Sequence, residues 1–233
     1  MKICFQNSRG FSLIEIAVVL FILVLLLGSL LVPLALQIEQ RQIAETERVL
    51  EDTREALIGF AIANGRLPRP ATSSTDGTER VATCVSEAEC TGFIPWTTLG
   101  TSRTDAWGKL LKYSVTPAFA NSTFSYTTLT TGSTKTVQTR NSAGTLINLA
   151  TSVPAVILSH GQRAYGTTES GSTLADSAGL NTDEDTNNAG NFTFVRRVFS
   201  DSQTAPGEFD DIVVWIPSFL ILNRMASASK LPN

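Results

Sequence analysis

The first 36 residues read MKICFQNSRG, then FSLIE, then IAVVLFILVLLLGSLLVPLAL. The last block, residues 16–36, is a run of 21 uncharged residues. At about 1.5 Å rise per residue, a helix of that length reaches about 30 Å, the thickness of a bilayer's hydrocarbon core. Lys2 and Arg9 precede it, which places the N-terminal end on the cytoplasmic side and the rest of the chain across the membrane. A cleaved secretory signal has a shorter apolar region followed by a small-residue cleavage site, and Gln37-Ile38-Glu39 offers none. A plain signal anchor accounts for the hydropathy but leaves Glu15 unexplained. A carboxylate carried to the centre of a spanning helix costs roughly 2.5–3.5 kcal/mol, so it calls for a partner.

Helical periodicity continues past the apolar run. Ile43, Leu50 and Leu57 recur at heptad spacing with Ala61 beyond them, and charged residues such as Glu45, Arg48 and Asp52 populate the other positions. That is an amphipathic helix with one apolar face, which the chain's own C-terminal part is the simplest surface to cover. Pro33 should kink it or sit as a harmless membrane kink. Asn64-Gly65 and the following Pro68 and Pro70 should end it. Beyond residue 66, Thr, Ser, Gly and Asn clusters separate short β-prone runs. Strands are expected at 110–115, 123–129, 135–139, 155–159, 192–199 and 212–216, with a short helix at 218–228.

The composition narrows the function classes. A net charge of -3 without a basic run argues against nucleic acid. One His and three Cys are too few for a Cys/His zinc site. Cys84 and Cys90 enclose a short loop, read as a disulfide on the extracytoplasmic side, with two free thiols as the alternative. His160 is the sole His, and no G-x-S-x-G or P-loop pattern accompanies it. The chain is therefore read as a non-enzyme.

Arg9-Gly10-Phe11-Ser12-Leu13-Ile14-Glu15, followed by the apolar run, resembles the signal of type IV prepilins and type II secretion pseudopilins. Ser12 stands where that family most often has Thr. The resemblance implies cleavage between Gly10 and Phe11 by prepilin peptidase, N-methylation of Phe11, and loss of the leader 1–10 with Cys4. It also implies an assembly role for Glu15. The mature Phe11 amine is cationic near neutral pH, and an extended start does not easily fold back within one chain, so in a staggered bundle it meets a neighbour's Glu15. The alternative for Glu15 is a place in the headgroup layer.

The expected fold is α+β and pilin-like: a helix over 11–65 with a transmembrane segment at 16–36, packed on a mainly antiparallel β-sheet head over 66–233. Expected partners are prepilin peptidase, other pilin or pseudopilin subunits, the inner-membrane assembly platform and membrane lipid. The expected location is the bacterial inner membrane as a single pass, head periplasmic, then a pilus or pseudopilus. A head of 168 residues points to a minor subunit. A membrane-anchored or filament-tip binding module with the same signal is the alternative.

Further segments are similar to the major pseudopilins. Asp105-Ala106-Trp107-Gly108 with Tyr113 is one, and Ser159-His160-Gly161 with Asp210-Asp211-Ile212 and Trp215 is another. In calcium-binding members the latter loop holds the ion. By that resemblance Asp183, Asp185, Asp210 and Asp211 become candidate calcium ligands, being hard oxygen donors. The run from Asn181 to Asn188 departs from an EF-hand, with Asn188 at the turn Gly and Phe194 at the closing Glu. A solvated acidic loop is the simpler reading of those residues, with no cofactor.

Overall fold

The computed structural model describes residues 12–163, 165–176, 179–201 and 206–232, and leaves the side chains of 27–35 undescribed. The chain forms two compact units, one ending at Gln42 and the other running Ile43–Asn233.

Helix α1, Leu13–Asn64, begins on a reciprocal cap. Glu15 N–H donates to Ser12 Oγ at 3.2 Å, and Ser12 N–H donates to a Glu15 carboxylate oxygen at 3.3 Å. This is the capping box expected of a Ser followed three residues later by a Glu. The first helical turn thus brings Glu15 against Ser12, while the Phe11 amine expected to meet a neighbour's Glu15 lies outside the described residues. Apolar side chains from Leu13 to Leu26 stand 47–87% exposed. The helix continues through position 33. Among the described residues no helix is long and apolar enough to cross a membrane. The span expected at 16–36 includes residues 27–35, whose side chains lie outside the described ones, so the apolar stretch that is described stops short of a bilayer's thickness.

In the second unit, the remainder of α1 packs through Leu50, Leu57 and Ala61, all fully buried. It ends at Gly65 (φ 68°), whose N–H donates to Ala61 O. That left-handed cap needs glycine. The other elements are β1 (Thr91–Phe93), α2 (Trp96–Leu99), β2 (Lys112–Val115), α3 (Pro117–Ala120), α4 (Tyr126–Thr131), β3 (Lys135–Arg140), β4 (Leu146–Val153), β5 (Ala155–Ser159), α5 (Thr182–Ala189), β6 (Thr193–Val195), β7 (Ile212–Ile216) and α6 (Ser218–Ser227). They build a four-stranded antiparallel sheet, order β1-β2-β5-β7, and a three-stranded sheet, order β4-β3-β6, with β3 and β6 parallel.

Alternation along β5 decides the layering. Ala155 and Ile157 face a core shared with Leu50, Leu57, Phe119, Leu129 and Met225. Val156 and Leu158 face a second core with Val137, Val153, Phe194 and Val213. Because successive strand side chains point to opposite faces, the central sheet is covered by helices on one side and by the smaller sheet on the other. All five β5 residues are buried, as a strand covered on both faces requires.

Three expectations fail locally. The stretch 123–129 is not a strand: Ser125 Oγ accepts the Thr128 N–H and starts α4. The strand expected at 192–199 is cut to β6. The supposed loop 181–188 is mostly helix α5.

Candidate functional site

The N-terminal signal residues divide at the edge of the described chain. Gly10 and Phe11 lie outside the described residues. Ser12 and Glu15 form the cap on α1, and beyond it the helix offers apolar side chains without protein cover. An apolar helix of this kind needs an apolar partner, lipid or another helix.

A second polar site gathers at the end of the central sheet, where β5 runs out and β7 begins. Asp105 precedes a turn and organises it. Its Oδ1 accepts the N–H groups of Trp107 and Lys109, both at 2.9 Å, and its Oδ2 accepts Ser159 Oγ at 2.6 Å. His160 Nδ1 lies 3.2 Å from Asp211 Oδ1, and Asp211 Oδ2 accepts Asn187 Nδ2 at 2.8 Å. Ser159 and His160 are thus engaged by different carboxylates, and their adjacency forms no nucleophile–base pair. Gly161 has φ 55°, and a Cβ there would stand 2.6 Å from Asp210 Oδ1, so the close approach of Asp210 requires glycine.

Three carboxylates converge at this point. Oxygens of Glu184, Asp210 and Asp211 lie within 4.8 Å of one another. Glu184 accepts the Asp210 N–H at 2.7 Å and Asn181 Nδ2 at 2.9 Å. Asp210 Oδ2 accepts the N–H groups of Gln162 and Arg163, while its Oδ1 is buried without a partner. Burial, with the neighbouring Asp211 and Asp210 adding to it, pushes the Glu184 carboxyl up to about 8, and burial likewise raises Asp210.

The structure brings together only half of the four candidate calcium ligands. Asp210 and Asp211 are adjacent in the cluster. Asp183 faces elsewhere and holds Arg140 and Arg197. Asp185 points outward to the Tyr165 hydroxyl. The reason is helical: within α5, Asp183, Glu184 and Asn187 turn inward and are buried, whereas Asp185 is exposed. Glu184 takes the place expected of the two aspartates. The buried, unpartnered Asp210 oxygen and the raised neighbouring carboxyls suit a hard cation such as calcium, which oxygen donors would hold and whose charge would offset theirs.

Cys84 and Cys90 are joined with their Cα atoms 5.2 Å apart, and both are fully buried.

No curated protein and no solved structure matches the chain. Residues 5–31, with the capped Glu15 inside them, match the prokaryotic N-terminal methylation motif, so the chain carries the prepilin-type signal of type IV pilin-like and pseudopilin proteins.

Proposed function

We propose that this chain is a minor subunit of a type IV pilus or of a type II secretion pseudopilus. In this reading prepilin peptidase cuts after Gly10 and the new Phe11 amine is methylated. The chain then waits in the inner membrane with its head outside, anchored by residues 16–36, until the assembly platform adds it to a filament. The methylation motif over 5–31 carries the reading. The exposed apolar side chains after Glu15 support it, because lipid first and neighbouring subunits later give them cover. No small-molecule chemistry is required of the head. The mature chain purified from membranes should begin at Phe11 and carry one added methyl group. Gly10→Val should leave the full-length chain in the membrane, since a bulky side chain blocks close backbone approach by the peptidase. Intact-mass measurement checks both, and a mature N-terminus at any other residue would overturn the reading.

The cation reading attaches to Glu184, Asp210 and Asp211. Without a cation, a Glu184 pKa raised above its unfolded value near 4.3 makes the folded head bind the extra proton. Stability contributed by that proton is present below about pH 4 and is lost as pH rises through about 8. Calcium should reverse this at the alkaline end. Full-length protein in detergent at pH 8 should melt several degrees higher with millimolar calcium, and less so at pH 6, where protons compete. Asp210→Asn should abolish the shift and Asp185→Asn should keep it. An unchanged melting curve for the wild type would remove calcium from the account.

A further inference from the structure

The seven-residue ring closed by Cys84 and Cys90 carries a glutamate at its centre, and that glutamate reaches across to the smaller sheet. Glu87 is 7% exposed. One of its carboxylate oxygens accepts Lys135 Nζ at 2.6 Å, and the other accepts Thr134 Oγ1 at 2.5 Å. Lys135 opens β3, is fully buried, and donates also to Asn191 O at 2.7 Å, just before β6. A single ammonium thus joins the ring to the start of two strands of the three-stranded sheet. Burial lowers the Lys135 pKa, and the hydrogen bond and charge of Glu87 offset part of that shift.

The ring's other anchors belong to β2 and to the end of α3, not to the smaller sheet. Asn121 accepts the Cys84 N–H and donates to Cys84 O. Val115 N–H donates to Cys90 O at 2.9 Å, and the Thr91 and Ser114 hydroxyls are bonded to each other. The ring therefore sits on β2 and α3 and extends Glu87 toward β3.

We infer that the Cys84–Cys90 ring is a redox-set latch, which holds Glu87 against Lys135 and so locks the three-stranded sheet onto the rest of the head. Opening it takes two electrons and two protons. A dithiol reductant supplies them, leaves as its own cyclic disulfide, and yields the thiols of Cys84 and Cys90. With the ring open, Glu87 sits on a segment free to move, and Lys135 faces a buried site as an uncompensated charge. A buried cation that loses its partner is strongly unfavourable. The element that yields is the smaller sheet, whose β4 is largely exposed and whose contact with β3 contains register shifts. The same geometry gives the latch a direction. Both sulfurs have no exposed surface once the head is closed, and thiol exchange needs access. The bond forms before closure, in an oxidising compartment, and is then shielded.

The test is hydrogen exchange, read by mass spectrometry on full-length protein in detergent, comparing wild type, the Cys84→Ser/Cys90→Ser double variant, Glu87→Gln and the combination. Amides of 135–140 report the smaller sheet, and those of 155–159 report the central sheet. Opening the ring should speed exchange at 135–140 at least tenfold and leave 155–159 within about twofold. Glu87→Gln should do the same, and adding it to the double variant should change little further, because both act through one contact. Unchanged exchange at 135–140 in the double variant would overturn the latch. So would equal acceleration in both sheets, which marks general destabilisation, or fully additive effects, which mark independent roles.

Discussion

Asp183→Ala is expected to destabilise the head by about 3–5 kcal/mol, the cost of removing one partner from a buried ion pair. The Asp183 carboxylate is 1% exposed and receives two guanidinium groups. Arg140 donates through Nε and Nη2 at 2.8 and 2.7 Å, and Arg197 Nε lies 2.8 Å away with its side chain 12% exposed. Arg140 comes from β3 and Arg197 follows β6, so the carboxylate on α5 clamps both strands from one side. Without it, two like charges face each other in a site with little water, and Arg197 cannot reach solvent without breaking its bonds to Gly207 O and Glu208 O. For a unit of this size about 1 kcal/mol moves the midpoint roughly 2–4 °C, so the melting temperature should fall by roughly 10 °C. Asp185→Ala, two positions along but exposed, should stay within about 1 kcal/mol. Thermal melts followed by circular dichroism on full-length protein check the pair. Equal melting of the two variants would show that Asp183 does not act as a clamp.

The same contrast separates the parts of the fold that are legible in the sequence from those that are not. Heptad spacing of Leu50 and Leu57 announces a helix face regardless of what covers it, and both are fully buried. Runs such as 155–159 and 212–216, dense in β-branched residues, become strands with those same bounds. The acidic run is visible as a run, yet the choice among its carboxylates depends on rotation about a helix axis. Read as a loop, Asp183 and Asp185 are equivalent; wound into α5, they face opposite ways and Glu184 enters the cluster. The Thr-rich stretch 123–129 has strand propensity, but a side-chain cap at Ser125 and the bond from Phe124 N–H to Gly65 O fix a helical start. Tertiary anchoring overrides a propensity worth tenths of a kcal/mol per residue. The strand β4 carries little strand signal, since its Asn, Ala and Ser residues lack strand character, and pairing with β3 alone makes it one. Glu87 and Lys135 lie 48 positions apart in sequence, and nothing local to either signals the other.

Glu15→Ala is expected to remove most of the subunit from filaments while leaving it in the membrane. Two properties of Glu15 are lost together in that variant. One is the negative charge, which in the proposed assembly meets the Phe11 amine of a neighbour. The other is half of the capping box with Ser12, worth about 1 kcal/mol at a helix start. Glu15→Gln separates them, because glutamine can accept the Ser12 N–H and keep the cap but carries no charge. If charge pairing drives incorporation, Glu15→Gln should fail nearly as badly as Glu15→Ala. An amine entering an apolar bundle without a counter-charge is penalised by several kcal/mol, against about 1 kcal/mol for the cap. Ser12→Ala, which weakens the cap and keeps the charge, should incorporate close to normally. Membrane insertion should survive in all three, since the apolar run is untouched and Glu15→Ala removes a group costly to bury. The measurement is the fraction of the subunit in sheared filaments, or cross-linked to pilin partners, against its total in the membrane. Normal incorporation of Glu15→Gln with loss in Ser12→Ala would assign Glu15 to helix capping and end the amine–carboxylate account.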